Sequence, residues 1–156
     1  MTAKSKNFDK IQRQIDLLLL EKKSRNEKLA NICKMFNEGL AHYDWVGFYL
    51  VNPDNPRELV LGPYVGEPTE HVRIPFGRGI CGQAAETKEI FVIGDVGQES
   101  NYLSCNPLVK SEIVLPIFRN GQIAGELDVD SHRASNFDDE DREFLTEVCV
   151  RISSII

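Results

Sequence analysis

Apolar residues recur every three or four positions through the first forty residues of the chain. Phe8, Ile11, Ile15, Leu18 and Leu19 mark one stripe, and Leu29, Ile32, Cys33, Phe36 and Leu40 mark another. The polar stretch Glu21-Lys22-Lys23-Ser24-Arg25-Asn26 lies between them, so the spacing predicts helix broken by a polar segment. The period then changes. Residues 45–51 are rich in aromatic and β-branched side chains and predict a strand, which the turn Asn52-Pro53-Asp54-Asn55-Pro56 ends before another strand begins over residues 58–61. A glycine-rich loop, Gly77-Arg78-Gly79-Ile80-Cys81-Gly82, leads into a short helical segment over residues 83–87. A short strand is expected over residues 90–93.

From Gly94 to Lys110 the chain is polar and punctuated, a long loop that contains Cys105. Loops of that length in a compact domain are commonly functional or disordered. Two more strands are expected over residues 113–118 and 122–130. Asp138 is placed to cap a last helix with acidic residues in its first turn and an apolar stripe of Phe144, Leu145, Val148, Cys149 and Ile152. Helices at both ends of short, turn-linked strands imply an α+β fold with helices packed on a sheet face.

The connection Arg119-Asn120-Gly121 admits two hairpin registers. A two-residue Asn-Gly turn would pair Ile117 with Ala124, whereas a three-residue loop would pair Ile117 with Ile123. Paired residues share a face, and only the second register collects Ile113, Leu115, Ile117, Ile123, Gly125, Leu127 and Val129 on one wholly apolar side. The three-residue loop is therefore expected. It sets Glu112 opposite Asp128, with Asp130 about 7 Å along the same face. Val114 and Phe118 on that face suggest a partly dry pocket. Carboxylates crowded in this way must share a proton, find a cation, or face water.

The totals narrow the function. At 156 residues the chain suits one domain, residues 1–156, with one hydrophobic core, and its 42% hydrophobic and 27% charged content fits a folded globular protein. A net charge of −6 argues against nonspecific nucleic-acid binding, which needs a basic surface. No apolar run approaches the roughly 20 residues that span a bilayer, and the N-terminal residues carry no signal-peptide core, so a cytoplasmic location is expected.

The four cysteines are widely spaced without a Cys-x-x-Cys pair, which makes a zinc cluster a poor reading. Cys33 and Cys149 fall on apolar helix stripes. Cys81, between glycines at a helix start, is placed where backbone amides lower a thiol pKa. Cys105 lies in a polar loop seven residues before Glu112. Two loop cysteines beside clustered carboxylates point to redox chemistry.

Four segments carry a resemblance. Trp45-Val46-Gly47-Phe48-Tyr49-Leu50, Val72-Arg73-Ile74-Pro75-Phe76-Gly77-Arg78-Gly79-Ile80-Cys81-Gly82, Ser111-Glu112-Ile113-Val114-Leu115-Pro116 and Leu127-Asp128-Val129-Asp130-Ser131, in this order, resemble the free methionine-R-sulfoxide reductases, small enzymes built on a lone GAF domain. The resemblance covers about residues 45 to 141. It implies a six-stranded antiparallel sheet flanked by N- and C-terminal helices, and thiol-dependent reduction of free methionine-R-sulfoxide without a cofactor or metal.

By that resemblance Cys105 matches the nucleophile and Cys81 a second redox cysteine. Glu112, Asp128 and Asp130 match substrate-binding carboxylates, and Trp45 and Tyr49 the pocket for the methyl end of the sulfoxide. A disulfide between the two cysteines, reduced by thioredoxin, is the implied route of recycling. The chain departs from the family pattern at His71, which stands where a further cysteine is usual. Whether the chain is a monomer or a homodimer is left open. The competing reading is a non-enzymatic GAF module that senses a small ligand or a redox change.

Overall fold

Both N-terminal stripes form helices, α1 over Ala3–Leu19 and α2 over Arg25–Gly39. The structure, a computed structural model, describes residues 2–104 and 106–156. Each helix begins at a hydroxyl cap: Thr2 accepts from the Ser5 amide and Ser24 from the Glu27 amide, satisfying donors that the first turn leaves open. Lys28, buried on α2, donates to the Leu19 carbonyl at the end of α1, so a helix cation closes the preceding helix.

The strands follow as β1 (Trp45–Asn52), β2 (Asn55–Val65) and β3 (Arg73–Pro75), then α3 (Gly79–Thr87), β4 (Phe91–Ile93), β5 (Ser111–Arg119), β6 (Gln122–Ser131) and α4 (Asp139–Ile152). A 3-10 turn at Val96–Gln98 interrupts the long loop. Among the described residues the strands make one antiparallel sheet of six, in the order β3-β2-β1-β6-β5-β4. Asp138 caps α4 with a reciprocal capping box to Asp141, as the sequence pattern anticipates. Three elements differ from expectation, the first being β2, which begins at Asn55, inside the expected turn. β3 is too short for a periodic signal, and α3 starts at Gly79, inside the glycine-rich segment rather than after it.

One sheet face packs against α1, α2 and α4. Ile15, Leu29, Ile32 and Phe36 meet Val46, Phe48, Ile113, Leu115, Ile117, Leu127 and Val129 there, with Leu145, Val148 and Ile152 of α4 completing the core. The other face is covered by α3, whose Ile80, Cys81, Ala84 and Ala85 pack with Trp45, Tyr49, Leu59, Ile74 and Val114. No helix among the described residues is long and apolar enough to cross a membrane.

The β5–β6 hairpin corrects the expected register. Arg119 pairs with Gln122, so the turn is the two-residue Asn-Gly type, with Asn120 at φ 52 and Gly121 at φ 77, the left-handed pair that matches strand twist. A bulge then skips Ala124, and from Ile117↔Gly125 onward the ladder runs Val114↔Asp128 and Glu112↔Asp130. Glu112 is therefore opposite Asp130, not Asp128. The bulge places the rest of the ladder two residues from the expected pairing, and a two-residue shift restores the same faces. Ile113, Leu115 and Ile117 consequently do share a face with Gly125, Leu127 and Val129. At the hairpin tip the sorting fails: Ile123 packs with the α3-side cluster. Phe118 is 38% exposed and lines a surface groove with Cys149 and Val150 of α4, so it contributes nothing to a dry pocket. Val114, fully buried in the α3-side cluster, does.

Candidate active site

Alternation along β1 sends Trp45, Gly47 and Tyr49 toward α3. Gly47 is the residue that makes this wall possible: a Cβ there would lie 2.4 Å from the Trp45 ring, far inside contact distance. Without it the indole lies along the strand, stacked near Tyr49 (centroids 6.5 Å apart, 28° between planes) and Tyr64 (5.4 Å, 17°). Trp45 Nε1 donates to the Glu67 carbonyl, and the Tyr49 hydroxyl donates to the His71 carbonyl. Aromatic area with its polar tips already satisfied makes a firm apolar wall.

Beside this wall, on the same sheet face, β5 and β6 deliver Glu112, Asp128 and Asp130, with Trp45 paired to Asp130 and Gly47 to Asp128, and α3 delivers Cys81 from the covering side. These residues, with Thr69, His71, Tyr102 and Leu103, line one cleft. The long loop reaches it because Asn101 is bolted to the start of α3. Its side chain accepts from the Gly79 amide and donates to the Gly77 carbonyl, and Gln83 donates to its backbone carbonyl. The cleft keeps about 30 Å³ of free volume, room for water but not for an amino acid. A larger ligand enters only as the walls part.

Of the seven expected site residues, the structure brings six together around this cleft: Trp45, Tyr49, Cys81, Glu112, Asp128 and Asp130. Cys105 lies outside the described residues. Its neighbour Ser104 is held at the rim, where the Ser104 carbonyl meets His71 Nε2 at 3.1 Å. A carbonyl only accepts, so that nitrogen carries the proton.

Electrostatically the site is acidic and buried. Glu112, Asp128 and Asp130 are each about 95% buried, and Glu112 Oε1, Asp128 Oδ1 and Asp130 Oδ1 have no hydrogen-bond partner. His71 is the one basic side chain among the described residues lining the cleft. Burial, followed by the charges of Asp128 and Asp130, pushes Glu112 well above the usual carboxylate range. Asp130 rises well above it through burial and then the Asp128 charge. Asp128 is raised by burial too, but hydrogen bonds from Glu112, Cys81 and Asp130 oppose the rise. The proton sharing that follows puts charge on Asp128 and protons on its neighbours.

Cys81 reverses its expectation. Although it sits in the first turn of α3, burial and then the charges of Asp128, Glu126, Glu112 and Asp130 push its thiol well above the ordinary value. A helix N-terminus lowers a thiol pKa only where desolvation and anionic neighbours do not outweigh it. Its Sγ lies 3.4 Å from Asp128 Oδ2.

Sequence reasoning missed Glu126. It is fully buried, neither carboxylate oxygen has a hydrogen-bond partner, and burial followed by the Asp128 charge raises it well above its ordinary value. The signal was present, since alternation in Glu126-Leu127-Asp128-Val129-Asp130 puts all three acids on one face. Cys33 and Cys149 are core thiols as expected, raised by burial to about 12 and above that range respectively.

A sheet of this order, with a cleft between its face and a short crossing helix, is the GAF arrangement, and the GAF domain family profile matches residues 26–156. The chain belongs to the GAF family, and within it to the free methionine-R-sulfoxide reductases. It is 35% identical over 153 residues to the free methionine-R-sulfoxide reductase of Escherichia coli, covering 98% of this chain and 90% of that one. It is similar in structure to the free methionine-R-sulfoxide reductase of Neisseria meningitidis in complex with its substrate, with TM-score 0.91, 35% identity, and coverage of 99% and 91% of the two chains. It is also 38% identical over 146 residues to GAF domain-containing protein A of Dictyostelium discoideum, covering 94% and 90%.

Proposed function

We propose that this chain, read as one GAF domain over residues 1–156, reduces free methionine-R-sulfoxide to methionine with Cys105 as nucleophile. One observation carries the substrate class. Three buried carboxylate oxygens without donors, on Glu112, Asp128 and Asp130, face a cleft with an aromatic wall. An amino-acid ammonium offers three N–H donors and the positive charge these acids lack. A peptide nitrogen offers one donor and no charge, so the free amino acid is preferred. Trp45 and Tyr49 receive the sulfur-methyl end.

In the reaction the Cys105 thiolate attacks the sulfoxide sulfur, and a carboxyl held protonated at Glu112 or Asp130 gives its proton to the sulfoxide oxygen. The oxygen passes to the Cys105 sulfur as sulfenic acid, and methionine leaves with the two electrons that the thiol gave up. The Cys81 thiol, losing its proton to Asp128, then attacks the sulfenic sulfur to form a disulfide, and the leaving hydroxyl takes that proton back from Asp128 and departs as water. The dithiol of a cytoplasmic thioredoxin supplies the electrons that reopen it.

The test is turnover of both sulfoxide diastereomers, free and peptide-bound. Reduction confined to the free R form is expected, and Cys105→Ser should abolish it. Activity surviving in Cys105→Ser removes the mechanism. For the recycling step, mass spectrometry after one turnover should find a Cys81–Cys105 bridge. A trapped sulfenic acid with no bridge would assign the reduction to an external thiol.

A further inference from the structure

We propose that the floor of this cleft is also a divalent-cation site of the zinc type, made by the thiolate of Cys81 and the carboxylates of Glu112 and Asp128. The three side chains come from α3, β5 and β6, and one ligand atom from each lies within 4.8 Å of the others, all three residues being buried. Two ligands of a tetrahedral zinc, one sulfur and one oxygen, sit about 3.5 Å apart at ordinary bond lengths. Cys81 Sγ and Asp128 Oδ2 are already 3.4 Å apart.

Independently of that spacing, Glu112 Oε1 and Asp128 Oδ1 are buried acceptors with no donor, and both residues line the cleft. Buried anionic oxygens are ordinarily paired or bound to a cation. One sulfur with two carboxylates suits a borderline-soft metal. Magnesium and calcium prefer six or more oxygens. Water in the cleft, or Asp130 with its own unpartnered Oδ1, takes the fourth position. On binding, the Cys81 proton and the proton held at Glu112 both leave to solvent, so the site gains the two charges of the ion and releases two protons.

Cysteine spacing along the chain hides this set, because it holds a single cysteine. Since the same carboxylates face the place of a substrate ammonium, metal and amino acid exclude each other, and zinc is an inhibitor that competes with the substrate. The metal site itself does not depend on which reaction the cleft performs.

Cobalt(II) titration of the reduced full chain tests it without any sulfoxide. A thiolate-to-cobalt charge-transfer band in the near ultraviolet should saturate at one ion per chain, and native mass spectrometry should find one zinc displacing it. The band should vanish in Cys81→Ala and Cys81→Ser, each confirmed folded by circular dichroism. In Asp128→Asn the cobalt dissociation constant should rise at least tenfold. A titration with no charge-transfer band, or a band that survives both Cys81 variants and disappears in Cys105→Ser, would overturn the assignment. Because the readout is spectroscopic, loss of the metal site and loss of the reductase reading are separate results.

Discussion

The two faces of the sheet are built from the same strands to opposite ends. On the side of α1, α2 and α4, Leu127 and Val129 are fully buried among aliphatic and aromatic neighbours. On the side of α3, the residues between and beside them, Glu126, Asp128 and Asp130, are just as buried and leave carboxylate oxygens without partners. Burial on the first face removes apolar area from water and stabilises the fold. On the second it strips solvent from acids that repel one another, and it persists only because the first face carries the domain. Adjacent residues of one strand thus divide the work: odd positions hold the structure, and even positions hold the chemistry.

That division can be broken most forcefully on the helix side. Leu127→Ala should destabilise the protein by about 2–5 kcal/mol, the range for emptying a closed core site, measurable as a lower denaturant midpoint. One residue further along the strand the sign of the trade reverses. Asp128→Asn removes the charge that its neighbours bear hardest, so stability should hold or rise. Use of the free sulfoxide should fall at least tenfold, about 1.4 kcal/mol of transition-state binding. Steady-state kinetics beside a thermal melt on the same sample would decide it. A variant that keeps its activity and melts early would reverse the assignment of the two faces.

How much of this was legible beforehand followed from which forces leave a periodic trace. Helices α1, α2 and α4 bury one face each, and β1, β5 and β6 turn alternate residues to two different buried faces, so their periods are visible in sequence. β3, with three residues, has no room for a pattern. The acid-bearing face was identified through a wrong register. Hydrophobic alternation reports parity alone, so it separated the faces correctly up to the bulge but not at the hairpin tip, where Ile123 falls on the α3 side, and it could not distinguish pairings two residues apart, nor the bulge at Ala124 that fixes the true one. The Cys81 environment failed for a different reason. Its flanking glycines are local and readable, whereas the four acids around it arrive from β5 and β6 and reach it only by tertiary packing. The contact of His71 with Ser104 is equally non-local.

The smallest effect sharpens the comparison most, because it isolates burial from substrate. Glu126 does not line the cleft, yet burial holds its folded pKa well above the ordinary 4.5, with the Asp128 charge adding to the rise and only the Cys81 thiol opposing it. The folded state therefore keeps a proton that the unfolded chain releases near 4.5. Below that pH both states are protonated and the group's contribution is fully present. As pH climbs from about 4.5 toward the raised folded value, the unfolded state binds fewer protons than the folded one, and stability is lost. Glu126→Gln removes the titration while keeping the shape. Its denaturant midpoint should change less between pH 5 and pH 8 than that of the parent, with the variant gaining relative to the parent at the alkaline end. Guanidinium unfolding at several pH values between those limits measures the slope directly. Parallel curves for the two proteins would mean that Glu126 ionises normally in the folded state, and the α3 face would then be wetter than its burial implies.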